Sequence, residues 1–254
     1  MLSRLLRQFL FNLVHFVVTV LVATENVYNR LWIKKETFLS TEEIKNNIEV
    51  ILKHIPNISK KPKHLVILTD TTQTSLKDLA RVVIWSLVAG IPYVSFYDIT
   101  GDLVKKEDKL FLEVQKYKKG VPGCIKWSHF QNLNGYTNGI PSHTIVVNIF
   151  TSDNGRSKIV QCIRQISQRE IQCRRESHEF TAQELDEVLK LFYPSIPEPD
   201  LIMYTGYSCI TYGFLPWQIR LTEFVHLSID HCINVDRYIG ALYKYNKCDQ
   251  RFGK

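Results

Sequence analysis

The stretch Pro199–Leu227, PDLIMYTGYSCITYGFLPWQIRLTEFVHL, decides how the rest of the chain is read. Leu201–Tyr204 is a short apolar run and reads as a buried strand. Thr205-Gly206 break the run, as expected where a strand of an α/β sheet ends and a ligand-facing loop begins. Phe214-Leu215-Pro216-Trp217-Gln218 is a dense apolar and aromatic block fixed by a proline. On residue types alone, a core strand followed by a packed loop accounts for the whole stretch.

Upstream, strand and helix patterns alternate. His64–Asp70 (HLVILTD), Ile91–Asp98 (IPYVSFYD) and Thr144–Phe150 are apolar runs of strand length, continuous in the manner of buried parallel strands. Ser75-x-x-Asp78 reads as a capping box for a helix through Ala89, with Gly90 as its stop. A charged amphipathic helix is expected over Leu103–Tyr117. Another spans Ser157–Cys173, and Thr181-x-x-Glu184 opens one through Phe192. Gly120–His143 is rich in Gly, Asn and Pro and reads as a long loop, with a short strand at Cys124–Trp127. Asn234 caps a last helix, which carries Tyr238, Ile239, Leu242 and Tyr245 inward. Strands alternating with helices predict an α/β domain, a mostly parallel sheet flanked by helices on both faces.

The amino-terminal end follows another rule. Arg4 and Arg7 precede Phe9–Ala23, an apolar run of 15 residues interrupted by Asn12, His15 and Thr19. A full span takes about 20 apolar residues, so this one is marginal. Arg4, Gln8, Asn12, His15 and Thr19 share a helical face, which suits a membrane-associating helix that either spans or lies in the interface. A cleaved signal peptide fits less well, because Leu21 stands where a small residue is expected. Glu42–His54 is a polar helix with Ile44, Ile48 and Ile51 on one face, and Pro56–Lys63 is a basic connector.

The chain has 254 residues and a net charge of +7. That charge suits anionic lipid headgroups or diphosphates. The lysines are dispersed and no nucleic-acid-binding signature accompanies them, so nucleic acid is not an expected partner. Six cysteines show no close pairing and no metal spacing, which reads as free thiols in a reducing compartment. No metal site is expected. His64 reads as a solvated loop histidine, and Asn57-Ile-Ser59 is a glycosylation triplet of a kind common by chance.

The order Asp-Leu, Thr-Gly, Phe-Leu-Pro-Trp-Gln, Glu-Phe within Asp200–Phe224 resembles the carboxy-terminal signature of the cis-prenyltransferases, which elongate isoprenoid diphosphates. Catalytic members follow the strand with Arg, Thr-Gly-Gly-Glu and Arg-x-Ser, whose arginines hold a diphosphate. Here those positions are Tyr204, Tyr207, Ser208, Ile210 and Tyr212. A tyrosine or isoleucine cannot replace the planar, permanently charged guanidinium fork. In catalytic members the first strand ends in Asp-Gly-Asn-x-Arg. Here Asp70 is followed by Thr71-Thr72-Gln73, and Asp98-Ile-Thr100-Gly101-Asp102 stands where Phe-Ser-x-Glu-Asn-Trp is usual. This pattern looks like the Nogo-B receptor family, the non-catalytic partner subunits of two-component cis-prenyltransferases.

The resemblance implies a cis-prenyltransferase (undecaprenyl diphosphate synthase-like) domain over 63–254. Before it come a membrane-anchoring helix with a juxtamembrane basic segment over 1–35 and a connecting helix and linker over 36–62. It also implies a heterodimer or higher heteromer with a catalytic subunit. That enzyme condenses isopentenyl diphosphate onto farnesyl diphosphate, with Mg²⁺ bound mainly by the partner, and supplies dolichol for protein glycosylation. The complex is expected on membrane lipid of the endoplasmic reticulum, globular domain towards the cytosol. Arg251-Phe252-Gly253 matches the family's carboxy-terminal Arg-x-Gly motif. Arg251 and Gly253 are therefore the implied catalytic residues, donated in trans, with Phe252 beside them against substrate. A frayed basic terminus is the alternative on bare sequence. Phe214, Trp217, Glu223 and Phe224 are the implied interface residues, and a salt bridge between Glu223 and an arginine is the other reading of that glutamate. Two further readings stay open: a self-sufficient homodimer using Asp70, and a membrane receptor or scaffold with no catalytic contribution.

Overall fold

The computed structural model describes residues 2–34, 41–70, 73–127, 133–134, 143–173, 181–192 and 196–249. The chain divides into two units, Met1–Ser40 and Thr41–Lys254.

The first unit is one helix, α1 (Leu2–Lys34). The apolar run counted from Phe9 extends at both ends, and Leu6–Thr24, 19 residues, is long and apolar enough to cross a membrane. Two of its polar side chains are satisfied within the helix. The Thr19 hydroxyl donates to the His15 carbonyl at 2.7 Å and Thr24 donates to Leu21 at 2.8 Å. Hydroxyls tied to their own backbone cost little in a medium without water.

The second unit begins with α2 (Thr41–His54). There follow β1 (His64–Leu68), α3 (Leu76–Ala89), β2 (Tyr93–Tyr97), α4 (Asp102–Lys105) and α5 (Glu107–Lys118). Next are β3 (Cys124–Trp127), β4 (Leu133–Asn134), β5 (Thr144–Phe150), α6 (Arg156–Cys173) and α7 (Ala182–Phe192). The unit closes with β6 (Leu201–Thr205), β7 (Glu223–Ser228) and α8 (Val235–Asn246). The strands form one sheet in the order β4-β3-β5-β2-β1-β6-β7, parallel except for the antiparallel β4. The expected single helix over 103–117 is two, α4 and α5, divided at Lys106. The strand β7 was not anticipated.

Every residue of β1 is buried, because β1 lies mid-sheet with both faces covered. Leu65, Ile67, Val94, Phe96, Leu201 and Met203 point to one face, under the apolar sides of α2, α3, α5 and α8. Val66, Leu68, Tyr97 and Ile202 point to the other, where Phe214 and Leu215 cover them. Helices α6 and α7 meet through Cys162, Leu185 and Leu189, with Trp217 against them. Ile51 and Ile58 are buried in the main core, so from Thr41 onward the segment expected as a connector is part of the globular unit.

The caps are partly as expected. Thr181 and Glu184 form the reciprocal box, with Thr181 N to Glu184 Oε2 at 2.9 Å and Glu184 N to Thr181 Oγ1 at 3.2 Å. Ser75 caps α3 by accepting from Lys77 N, but Asp78 does not complete its box. Asp78 instead pairs with Arg81 and accepts from Ile233 N, tying α3 to the loop before α8.

Candidate functional site

From β1 the chain builds outward through β2 to β5, then returns to the opposite side of β1 with β6 and β7. The order therefore reverses between β1 and β6, and a crevice is expected beyond their carboxyl ends. A cleft of about 290 Å³ lies there, lined by Thr69 and Asp70 after β1, Tyr97 and Ile99 around the end of β2, and Tyr204–Ser208 from β6 onward. Ile210, Tyr212 and His231 complete it.

Its walls are fixed by backbone and ring contacts. Thr69 N and Oγ1 both donate to Tyr97 O at 2.9 Å. The Asp70 carbonyl accepts from Gln73 N and Thr74 N, forming the turn into α3. Gly206 takes φ +88, where a Cβ would sit 3.1 Å from the His231 ring. Its N–H donates to Ser228 O at 2.7 Å, and His226 Nε2 donates to its carbonyl at 2.9 Å. The His226 ring packs on Tyr204 at 5.2 Å between centroids. His231 Nδ1 pairs with Thr205 Oγ1 at 2.8 Å. Burial holds the His231 pKa below its ordinary value, against the opposing charges of Asp70 and Asp230. Tyr97 donates to the carbonyl of Tyr212 at 3.0 Å, and burial, with the Asp98 charge, pushes its phenol pKa up. Among the described residues the non-glycine positive-φ positions are Tyr212, Leu215 and His231, all in or beside this cleft.

The chemistry of the lining is clear from its inventory. Four tyrosines face the cleft, Asp70 is its one carboxylate, and no lysine or arginine is among its described lining residues. A diphosphate carries several negative charges and needs cationic forks, helix-end amides or a metal to hold it. Asp70 alone could give Mg²⁺ one ligand, but such an ion is completed by substrate phosphates, and no cation among the described lining residues holds those phosphates in place. Among the described residues no cluster of three His, Cys, Asp or Glu side chains could hold a metal. Asp98 is committed elsewhere. It is 1% exposed and accepts from Thr100 Oγ1 at 2.8 Å and Leu103 N at 2.8 Å, so it shapes the start of α4.

His64 is a correction. It is fully buried rather than a solvated loop residue. Its Nδ1 donates to Pro197 O at 2.7 Å, which leaves Nε2 to accept from Ser95 Oγ at 2.7 Å. Register explains the burial, because His64 falls on the same covered face as Val66 and Leu68.

Phe214 is wholly buried, its ring 4.8 Å from Tyr97 and 5.8 Å from Phe150. Its side chain belongs to the core beneath the cleft. Trp217 is half-buried against α6 and α7, with Nε1 donating to Asp186 Oδ1 at 3.3 Å. Glu223 and Phe224 open β7, an edge strand, and Phe224 is 37% exposed. Arg251, Phe252 and Gly253 lie outside the described residues, as do Thr71 and Thr72.

Comparison with known proteins accounts for this combination of scaffold and cleft. A prenyltransferase family model described as "Putative undecaprenyl diphosphate synthase" matches residues 127–253. The chain is 31% identical over 205 residues to the dehydrodolichyl diphosphate synthase complex subunit Nus1 of Mus musculus, covering 79% of this chain and 68% of that one. It is 30% identical over 203 residues to the corresponding NUS1 subunit of Homo sapiens, covering 78% and 69%. Among solved structures, lavandulyl diphosphate synthase from Lavandula x intermedia superposes with a TM-score of 0.52 at 16% identity, covering 76% of this chain and 99% of that one. That likeness establishes the shared fold. The chain belongs to the cis-prenyltransferase family, and within it to the group of the NUS1 subunits of the dehydrodolichyl diphosphate synthase complex.

Proposed function

We propose that this chain is the regulatory and active-site-completing subunit of a heteromeric cis-prenyltransferase that condenses isopentenyl diphosphate onto farnesyl diphosphate. Its product is the long-chain polyprenyl diphosphate from which dolichol is made for protein glycosylation. The observation that carries the reading is the cleft. It stands at the carboxyl ends of β1 and β6, where an α/β sheet binds its ligand. Yet Tyr204, Tyr207, Ile210 and Tyr212 line it in place of any described cation. Such a chain does not elongate isoprenoids alone. Mg²⁺ belongs mainly to the catalytic partner, and supplies charge neutralisation at the diphosphates there.

This chain's own contribution to chemistry is the tail. Arg251 presents a guanidinium fork to diphosphate oxygens. Gly253 lets the backbone approach closely and offer an N–H, with Phe252 as the third substrate-binding residue of the motif. Membrane attachment through α1 keeps the complex at the endoplasmic reticulum surface, with the globular unit in the cytosol, so that the long apolar product passes directly into lipid.

The test is isopentenyl incorporation by the purified protein, alone and mixed with a catalytic cis-prenyltransferase subunit, wild type against Arg251→Ala. Silence alone, activity when mixed, and a loss of about 10²-fold or more with the variant are expected. Activity alone would return function to the Asp70 cleft. Full activity with Arg251→Ala would leave a scaffold and membrane tether.

A further inference from the structure

We propose that Lys60 and Asn246 are positioning residues for the carboxy-terminal tail, clamping its base so that Arg251 reaches its diphosphate from a fixed origin. This rests on the tail's role proposed above, and adds how the rest of the chain controls it.

The clamp joins parts of the chain far apart in sequence. At the end of α8 the Asn246 side chain turns back, and its Oδ1 accepts from Ser59 Oγ at 3.0 Å and from Lys60 N at 2.8 Å. Lys60 Nζ donates to Cys248 O at 2.7 Å and lies 4.7 Å from the centre of the Tyr245 ring. An ammonium is favoured there twice over. The carboxyl end of a helix is its negative pole, and the face of a phenol ring attracts a cation. The Cys248 thiol donates to Lys244 O at 3.2 Å, and burial, with the Glu223 charge, raises its pKa. Cys248 N also donates to Tyr245 O at 3.0 Å. The main chain is thus held as far as Cys248 by the last turn of α8 and by Lys60.

The strap that supplies Lys60 is itself fixed. Ile58 is buried, and at the far end Asp200 Oδ2 accepts from Lys63 N at 2.7 Å and His64 N at 3.0 Å. Residues 58–64 therefore form a rigid brace rather than a linker. Helix α8 has separate anchors in buried Tyr238, Ile239 and Leu242, and in the 2.8 Å bond from Tyr238 to Ser86. Removing the clamp therefore frees the tail's base without freeing the helix.

The reach of the tail makes this origin matter. Arg251 is three residues past Cys248. Only Asp249 and Gln250 stand between them. Over so short a connection, loosening the base carries through to the guanidinium. Misplacement of about 1 Å can cost as much as 10²-fold in rate.

The experiment uses the full chain assembled with a catalytic cis-prenyltransferase subunit. Isopentenyl incorporation is measured for wild type, Lys60→Met, Lys60→Arg, Asn246→Ala, Arg251→Ala and the double variant Lys60→Met/Arg251→Ala. Methionine keeps the stem over Tyr245 and deletes the donor. Lys60→Met and Asn246→Ala should each lower kcat/KM for isopentenyl diphosphate about three- to tenfold, mostly through KM. Tm and co-purification should be unchanged, and Lys60→Arg should restore activity. Hydrogen exchange at residues 247–254 of the complex should speed up in Lys60→Met. A positioning residue acts through the group it positions, so the double variant should be no worse than Arg251→Ala alone. If Arg251→Ala is impaired while both clamp variants match wild type, or if the double variant shows the product of the two losses, the clamp proposal fails. If Arg251→Ala is itself fully active, the tail reading fails first, and this proposal fails with it.

Discussion

At the scale of single residues, burial sets the behaviour of His64 more strongly than any charge nearby. Desolvation lowers its pKa from 6.5 to about 4, against the opposing pull of the Pro197 carbonyl and the Asp200 charge. The neutral ring is the native form, with one nitrogen donating to Pro197 and the other accepting from Ser95. The sign follows directly. Between pH 6.5 and 4 the unfolded chain binds this proton and the folded chain does not, so stability is complete above 6.5 and falls as pH drops. By pH 5 the loss is on the order of 2 kcal/mol. Urea unfolding at pH 7 and pH 5 should show it, and His64→Gln should flatten the dependence. An equally steep dependence in the variant would assign the loss to other groups.

Among the elements, the segment over 210–219 contributes Ile210 and Tyr212 to the cleft, and glycines let it sit there. A Cβ on Gly155 would overlap the carbonyl oxygen of Gly213, which has φ +77 and whose own Cβ would stand 3.3 Å from Arg156. Gly155 lies just before α6, after a turn capped by Thr151 and Asn154. The two backbones touch there, and the segment then carries Phe214 into the core and Trp217 onto α6 and α7. Gly155→Ala should cost about 1–3 kcal/mol in thermal unfolding, as overpacking does. Gly240, inside α8, has nothing within 4 Å of its Cβ position. Gly240→Ala should be neutral or stabilise by up to about 1 kcal/mol. Equal effects at the two sites would count against the contact.

For the whole molecule, the association proposed above must use a surface this chain leaves open. Strand β7 lies at the edge of the sheet with Phe224 37% exposed. An unpaired edge of main-chain donors and acceptors is a ready template for another chain. Phe224→Glu should leave the folded monomer intact and weaken co-purification with the catalytic subunit at least about tenfold, as for an interface anchor. Unchanged co-purification would move the interface elsewhere. Trp217→Glu is a poorer probe, because Trp217 also seals α6 against α7.

The strands β1, β2, β5 and β6 were legible from sequence, because strands buried on both faces must be continuously apolar. So were the caps at Thr181 and Asn234, whose hydrogen bonds are local. The replacement of arginines by Tyr204 and Ile210 was legible because charge is a property of the residue itself. The edge strand β7 was not, since its run carries Glu223 and His226 and gains its pairing only from β6. The burial of His64 was hidden, because sheet register decides which face a side chain takes; the packed loop was legible at Phe214, but the fold-back of 210–219 that seats it beneath the cleft was not. The clamp of Lys60 on Cys248 and Asn246 joins residues more than 180 positions apart. Contacts of that separation are set by packing, and only the tertiary structure brings them together.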